Sequence, residues 1–317
     1  MALYLTETEI GDLLTMPDVL QTLEEMFRAR ARGEIVNRPR IRIPITGGSY
    51  NLMPAGWIER GVVGHKTYTA SAAGASFQIV LYAADGSGLL AVMGGGRISG
   101  LRTGAATGLA ARHLAAQPGG PVAVIGAGFQ ATAQVNGIVA ATGATDIRVH
   151  ARSEEARTAF AARMAESTGV NVHATDSIDA ALEGASVVVT ITNSAEPVLR
   201  VEHLRPGLTI VAAGNNTWLR SEIEPAVAAR ADLVVVDDID NAKLESGELM
   251  RAAEAGLFSW DRAVALHDII GGTRSGRTSA DQIVLAELQG IAIEDVAVAE
   301  LAYRRARERG IGLELPS

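Results

Sequence analysis

A chain that runs Val122-Ala123-Val124-Ile125 straight into Gly126-Ala127-Gly128-Phe129-Gln130-Ala131 has few folds open to it. Four consecutive apolar residues make a strand buried on both faces, and the G-x-G-x-x-A that follows turns it sharply into a helix. Gly126 permits the tight turn and Gly128 lets the backbone approach a pyrophosphate. Ala131 lets the helix lie close on the strand. The first turn of that helix, with Phe129 and Gln130, presents N–H groups where phosphates would sit. A ligand-free tight turn would use the same glycines, so the motif gains weight from what surrounds it.

What surrounds it is a strand–helix rhythm. Short apolar runs recur at Val122 to Ile125, Ile147 to His150, Val170 to His173, Val187 to Thr192, Leu208 to Ala212 and Leu233 to Val236. Helical stretches separate most of them, at Gln130 to Ala141, Glu154 to Ser167, Ile178 to Leu182 and Arg220 to Ala229. The alternation predicts an α/β fold, a doubly wound Rossmann-type parallel sheet of six strands. Residues 1 to about 115 differ. Helical Glu7 to Leu14 and Pro17 to Arg32 precede extended Arg40 to Ile45, Ser49 to Met53, Val62 to Tyr68 and Phe77 to Tyr82, then a helix from Ser99 to Leu114. That order predicts an α+β domain, with Gln117-Pro118-Gly119-Gly120-Pro121 as the boundary. A helix is expected to open at Ser279 with Gln282 closing a capping box, and a last one to run from Ile293 to Arg309 before Gly310. The division expected is 1–117 with the C-terminal helix 292–317, a substrate-binding and dimerisation domain, and 118–291, a dinucleotide-binding domain. The arginines at 304, 305, 307 and 309 read as a solvated helix end that suits the dipole, in preference to a polyanion patch.

Composition narrows the function. The 317 residues carry a net charge of −8, which disfavours nucleic acid and anionic membrane surfaces as partners. Five Phe, five Tyr and three Trp are too few for a base-stacking platform. With no Cys, disulfides, thiolate metal sites and Cys nucleophiles are excluded, and the six His have no ligand spacing, so no metal is expected. No apolar run approaches the roughly 20 residues of a membrane span, and the acidic N-terminus is unlike a signal peptide. A cytoplasmic protein is the expectation.

The second strand ends in His150-Ala151-Arg152-Ser153, with no carboxylate to bind ribose hydroxyls. Arg152 and Ser153 could instead hold a 2′-phosphate, which predicts NADP, with NAD admitted if Glu154 or Glu155 turns back. The alternative is an exposed Arg beside an N-capping Ser. Thr192, Asn193 and Ser194 follow the fourth strand, where such folds meet the nicotinamide ribose. In the first domain Arg38, Arg40, Arg42, Lys66 and Arg102 are sparse cations, and Lys66 and Arg102 stand in apolar surroundings. An unpaired ammonium there is expensive, so each needs either an internal salt bridge or a substrate carboxylate.

These pieces together resemble the ornithine cyclodeaminase/mu-crystallin family along nearly the whole chain. Those that carry the resemblance include Arg38-Pro39-Arg40, Met53-Pro54-Ala55, Gly64-His65-Lys66 and Ser99-Gly100-Leu101-Arg102-Thr103-Gly104-Ala105-Ala106. Gly126 to Ala131, Thr192 to Pro197, Ala213-Gly214-Asn215-Asn216, Glu222, Ser246 to Leu249 and Gly276 to Ser279 continue it. The resemblance implies homodimers built through the first domain and an NAD(P)-dependent reaction at the α-carbon of an amino or imino acid. It implies that Arg40, Lys66 and Arg102 bind the substrate carboxylate while Thr103 and Gly214 belong to the cofactor site. One departure matters. Family cyclodeaminases and alanine dehydrogenases carry an Asp in the loop after the fifth strand, and that place is Asn216 here. An amide cannot take a proton from an amine. The expectation is therefore an NAD(P)H-dependent reductase of an α-imino acid, such as pyrroline- or piperideine-2-carboxylate. The alternatives are an NAD-dependent ornithine cyclodeaminase or amino-acid dehydrogenase, and a crystallin-like protein that retains NADP without turnover.

Overall fold

Local capping starts the chain. After β1 (Leu3–Leu5), Thr6 with Glu9 and Thr15 with Asp18 form reciprocal capping boxes that open α1 (Glu7–Leu13) and α2 (Met16–Ala31). The structure, a computed structural model, describes residues 1 to 316. Strands β2 (Ile35–Asn37), β3 (Ile41–Ile45), β4 (Gly48–Trp57), β5 (Val62–Ser71), β6 (Gly74–Ala83) and β7 (Leu89–Gly94) follow. The register of β5 sets Lys66 opposite Met53 on one side and Ile79 on the other, both fully buried, so Lys66 points into the apolar face of the sheet. Helix α3 (Gly96–Leu114) comes next.

The dinucleotide-type sheet is then built in order: β8 (Val122–Ile125), α4 (Phe129–Thr142), β9 (Asp146–His150), α5 (Glu154–Thr168), β10 (Asn171–Ala174), α6 (Ile178–Leu182) and β11 (Val187–Thr190). The chain continues through β12 (Thr209–Ala212), α7 (Pro225–Arg230), β13 (Leu233–Val236), α8 (Ile239–Glu245), α9 (Gly247–Glu254), β14 (Ala263–Ala265), α10 (Leu266–Ile270) and β15 (Val284–Glu287). All eight strands are parallel, in the order β10-β9-β8-β11-β12-β15-β13-β14, a doubly wound α/β sheet. Every residue of β8, β11, β12 and β15 is buried, as strands covered on both faces must be.

Three expectations are corrected here. The sheet has eight strands because Val284–Glu287 inserts between β12 and β13, and Ala263–Ala265 adds an edge. Ser279 opens no helix: the Gln282 side chain accepts from the N–H groups of Thr278 and Ser279, closing a turn that leads straight into β15. The helix expected from Arg220 begins only at Pro225, because Ile223 bridges to Leu199 and Glu224 is extended.

The chain ends with α11 (Ala292–Arg309), stopped by Gly310, and β16 (Leu313–Glu314). Helix α11 lies on β4, β5 and β6, and all residues from Ala292 to Ala302 are buried. At its far end the Arg305 guanidinium makes two 2.7 Å bonds to the Asp18 carboxylate. The first sheet runs β16-β1-β7-β6-β5-β4-β2, with β3 also on β4. The chain divides into Met1–Arg102 with Ile291–Ser317, and Thr103–Gly290. The division falls inside α3 rather than at the Gln117–Pro121 turn. A Cβ on Gly137 would overlap the Gly104 carbonyl oxygen, and one on Gly108 the Gly137 carbonyl oxygen, so α3 and α4 touch backbone to backbone.

That contact makes a prediction. Gly137→Ala should destabilise the protein by about 2 to 3 kcal/mol, because two backbones must separate. Gly100→Ala, in α3 with nothing within 4 Å of the added methyl, should stabilise it by about 0.5 to 1 kcal/mol through helix propensity. Thermal unfolding of the two variants beside the parent measures both signs.

Candidate active site

The cleft of the second unit lies where the winding of its sheet reverses, at the carboxyl ends of β8, β9, β11 and β12, and encloses about 610 Å³. Gly126 sits there at φ +123°, and a Cβ on it would overlap the Ile191 carbonyl oxygen, so no other residue fits. Gly128 caps α4, and nothing lies within 4 Å of where its Cβ would be. That open space at a helix N-terminus matches a pyrophosphate. Phe129, Gln130, Arg152, Ser153, Thr192, Asn193, Ser194 and Gly214 join Gly126 and Gly128 in lining the cleft. The Gln130 Oε1 is buried without a hydrogen-bond partner among the described residues. Ala131 does not line the cleft; it is fully buried and packs α4 on the sheet. Thr103 and Asn216 are not among the lining residues either.

At the end of β9 Ser153 accepts from the Ala156 N–H and caps α5, while the Arg152 side chain stays exposed on the cleft wall. Glu154 and Glu155, in the exposed first turn of α5, do not reach the cleft. In the β11 loop the Ser194 N–H bonds the Thr192 hydroxyl at 3.1 Å, and the Ser194 hydroxyl donates to the Glu196 carbonyl. The set of glycines, helix terminus and polar loops fits a nicotinamide dinucleotide.

In the first unit the cations are gathered. Lys66 Nζ lies 2.7 Å from Asp295 and 3.3 Å from the Ser99 hydroxyl. Arg102 lies 2.8 Å from Glu294 and 3.2 Å from Asp295. The Arg40 guanidinium and Lys66 Nζ both approach the Tyr68 ring, at 5.9 and 5.7 Å from its centre. All five charged groups are at most 9% exposed. The salt-bridge alternative raised for these cations is thus present in part, and it names two residues the sequence reading did not: Glu294 and Asp295, in the first turn of α11. Two adjacent carboxylates inside the apolar stretch Ile291 to Ala299 were the available signal. Three buried cations thus stand together with two buried carboxylates. Burial, reinforced by Arg102, pushes Lys66 down to about 7. Burial raises Glu294 from the ordinary carboxylate range, against the pull of Arg102.

Asn215 is structural: its amide donates to the Thr217 and Arg220 carbonyls. Asn216 beside it is exposed. Among the described residues no group of three or more His, Asp or Glu side chains could hold a metal ion, and no helix is long and apolar enough to cross a membrane.

Comparison with known proteins follows this geometry. The profile of the ornithine cyclodeaminase/mu-crystallin family matches residues 2–310. A Delta(1)-pyrroline-2-carboxylate reductase of Bacillus cereus is 33% identical over 224 residues, 70% of this chain and 69% of that protein. The Thermococcus litoralis Delta(1)-pyrroline-2-carboxylate reductase, solved with NADH and L-proline, superposes with a TM-score of 0.93 at 25% identity, covering 99% of this chain and 100% of that one. An archaeal alanine dehydrogenase dimer with bound NAD gives 0.91 at 28% identity, covering 99% of each chain. The chain belongs to the ornithine cyclodeaminase/mu-crystallin family and is an oxidoreductase.

Proposed function

We propose that this protein reduces the C=N bond of an α-imino acid with NADPH in preference to NADH, and that its substrate is a cyclic imine such as pyrroline- or piperideine-2-carboxylate. The observation that carries the proposal is the gathering of Arg40, Lys66 and Arg102, all buried, around one spot beside Tyr68 and Ser99. Arg40 and Arg102 take the substrate carboxylate and orient the imine carbon. Lys66, held by Asp295 and Ser99, donates the proton that the imine nitrogen gains. When bound, the reduced nicotinamide supplies the hydride for the adjacent carbon. Asn216 in place of an Asp favours reduction over deamination, since an imine needs no base to become sp² at carbon.

The exposed isoleucines of β3 support a homodimer. Ile41, Ile43 and Ile45 alternate along the strand at 51%, 51% and 43% exposure, an apolar row that a second copy would cover. Cofactor preference follows from the β9 end, where Arg152 and Ser153 line the cleft and no carboxylate does.

Four outcomes are expected. NADPH should bind about tenfold more tightly than NADH, from a charge-assisted bond to the 2′-phosphate, and Arg152→Ala should erase that preference in fluorescence titrations. Arg102→Lys keeps the charge but loses the planar fork, so kcat/KM for the imine should fall about tenfold or more while NADPH affinity stays unchanged. Absorbance at 340 nm should fall with NADPH and a panel of cyclic imines but not rise with NAD and ornithine. Lys66 carries its proton below about pH 7, so kcat/KM for reduction should be level in mild acid and decline above neutrality, whereas oxidation of the product amine should rise over the same interval. Rapid release of ammonia from ornithine would overturn the assignment.

A further inference from the structure

We propose that Glu222 is a positioning residue for the dinucleotide, a buried carboxylate strut that sets one wall of its cleft. The proposal rests on the reading that this cleft takes the cofactor. Glu222 is 1% exposed and is not itself among the residues lining the cleft. Its carboxylate accepts the Thr192 N–H at 2.5 Å and the Gly214 N–H at 2.8 Å, and the Thr190 hydroxyl at 3.3 Å. Thr192 and Gly214 both line the cleft, one after β11 and the other after β12. The Glu222 carbonyl also accepts the Val198 N–H at 2.8 Å, and Val198 lines the same wall. One residue therefore fixes three points of the wall from behind.

Two further observations make the knot tight. A Cβ on Gly214 would meet the Glu222 Oε2 and the Thr192 nitrogen, each at 2.5 Å, so glycine is required by space alone. Glu222 is in turn held by the Glu248 carboxylate, which accepts the Glu222 N–H at 2.7 Å and the Asn215 amide at 3.4 Å. The ionisable groups facing it are Glu248 on α9, beside Arg251, and Glu287 on β15. Burial pushes Glu222 up to about 7, with Glu248 adding to the rise and the N–H donors opposing it. The ionised carboxylate holds both N–H groups by charge-assisted bonds, roughly twice as strong as those to the neutral acid. The wall is thus firm above neutrality and loosens as the proton returns.

The test is NADH binding by fluorescence titration at pH 6 and pH 8, in wild type and Glu222→Gln, with thermal unfolding of both proteins. NADH keeps a constant charge over this range, and the substitution leaves every residue that lines the cleft in place. Wild type should bind NADH about threefold or more weakly at pH 6 than at pH 8. The variant should bind it about tenfold more weakly than wild type at pH 8, with less change between the two pH values. The KM for the imine at saturating NADH should not move. An unchanged affinity in a folded variant overturns the proposal, and if the variant does not fold, a wild-type affinity that is flat from pH 6 to pH 8 does so. Failure of wild type to bind NADH or NADPH at all overturns instead the reading of the cleft.

Discussion

Lys66 and Arg102 are buried in an interior of apolar strands and helix, and charge taken out of water must be paired. The pairing comes from Asp295 and Glu294, at 2.7 and 2.8 Å, on the first turn of the last long helix. This constraint organises the first unit. It requires the chain, after completing an entire dinucleotide-type sheet, to return and lay α11 across β4, β5 and β6. The apolar residues of α11 supply the bulk of that docking through burial. The two carboxylates decide its register, because a slip of one turn would strand four charges without partners.

The same balance of charges links packing to chemistry. A buried cluster of three cations and two carboxylates suits the substrate carboxylate proposed for it, which would meet its partners largely without competition from water. Lys66 gains most from this arrangement, since burial and Arg102 bring its proton affinity to the neutral range in which general acids work. The cleft of the other unit is built on a different principle. It is walled by glycine backbone and polar loops, and behind that wall Glu222, itself held by Glu248, ties the Thr192 and Gly214 N–H groups together.

Much of the fold was legible because its signals are local. The step from Val122 through Ala131 needs only its own ten residues to declare a strand, a tight turn and a helix, and the strands at 147, 187, 208 and 233 repeat the theme. The strand at Val284–Glu287 is hard to read because it is short and ends in a glutamate, whose burial becomes intelligible only when Ser246 and Gln289 are seen to donate to one of its oxygens. Arg220 to Glu224 read as helix for a similar reason: what keeps Ile223 out of a helix is its bridge to the distant Leu199. In the candidate site the cations stood out as isolated charges among apolar neighbours. Glu222 drew attention only as part of a family pattern, since nothing near it in the chain reveals that its carboxylate faces Thr192 and Gly214.

The sequence by itself determined that this chain holds a doubly wound sheet with a glycine-lined turn and that buried cations wait for carboxylates. Both conclusions follow from short-range rules, periodicity in the one case and the cost of burying charge in the other. It could not say which carboxylates. Glu294 lies 192 residues from Arg102, and no propensity or spacing rule spans that distance. Only the tertiary structure decided that two acids from the last helix meet Lys66 and Arg102. Which charges face one another depends on what folding brings within hydrogen-bonding distance in an interior from which water has been removed.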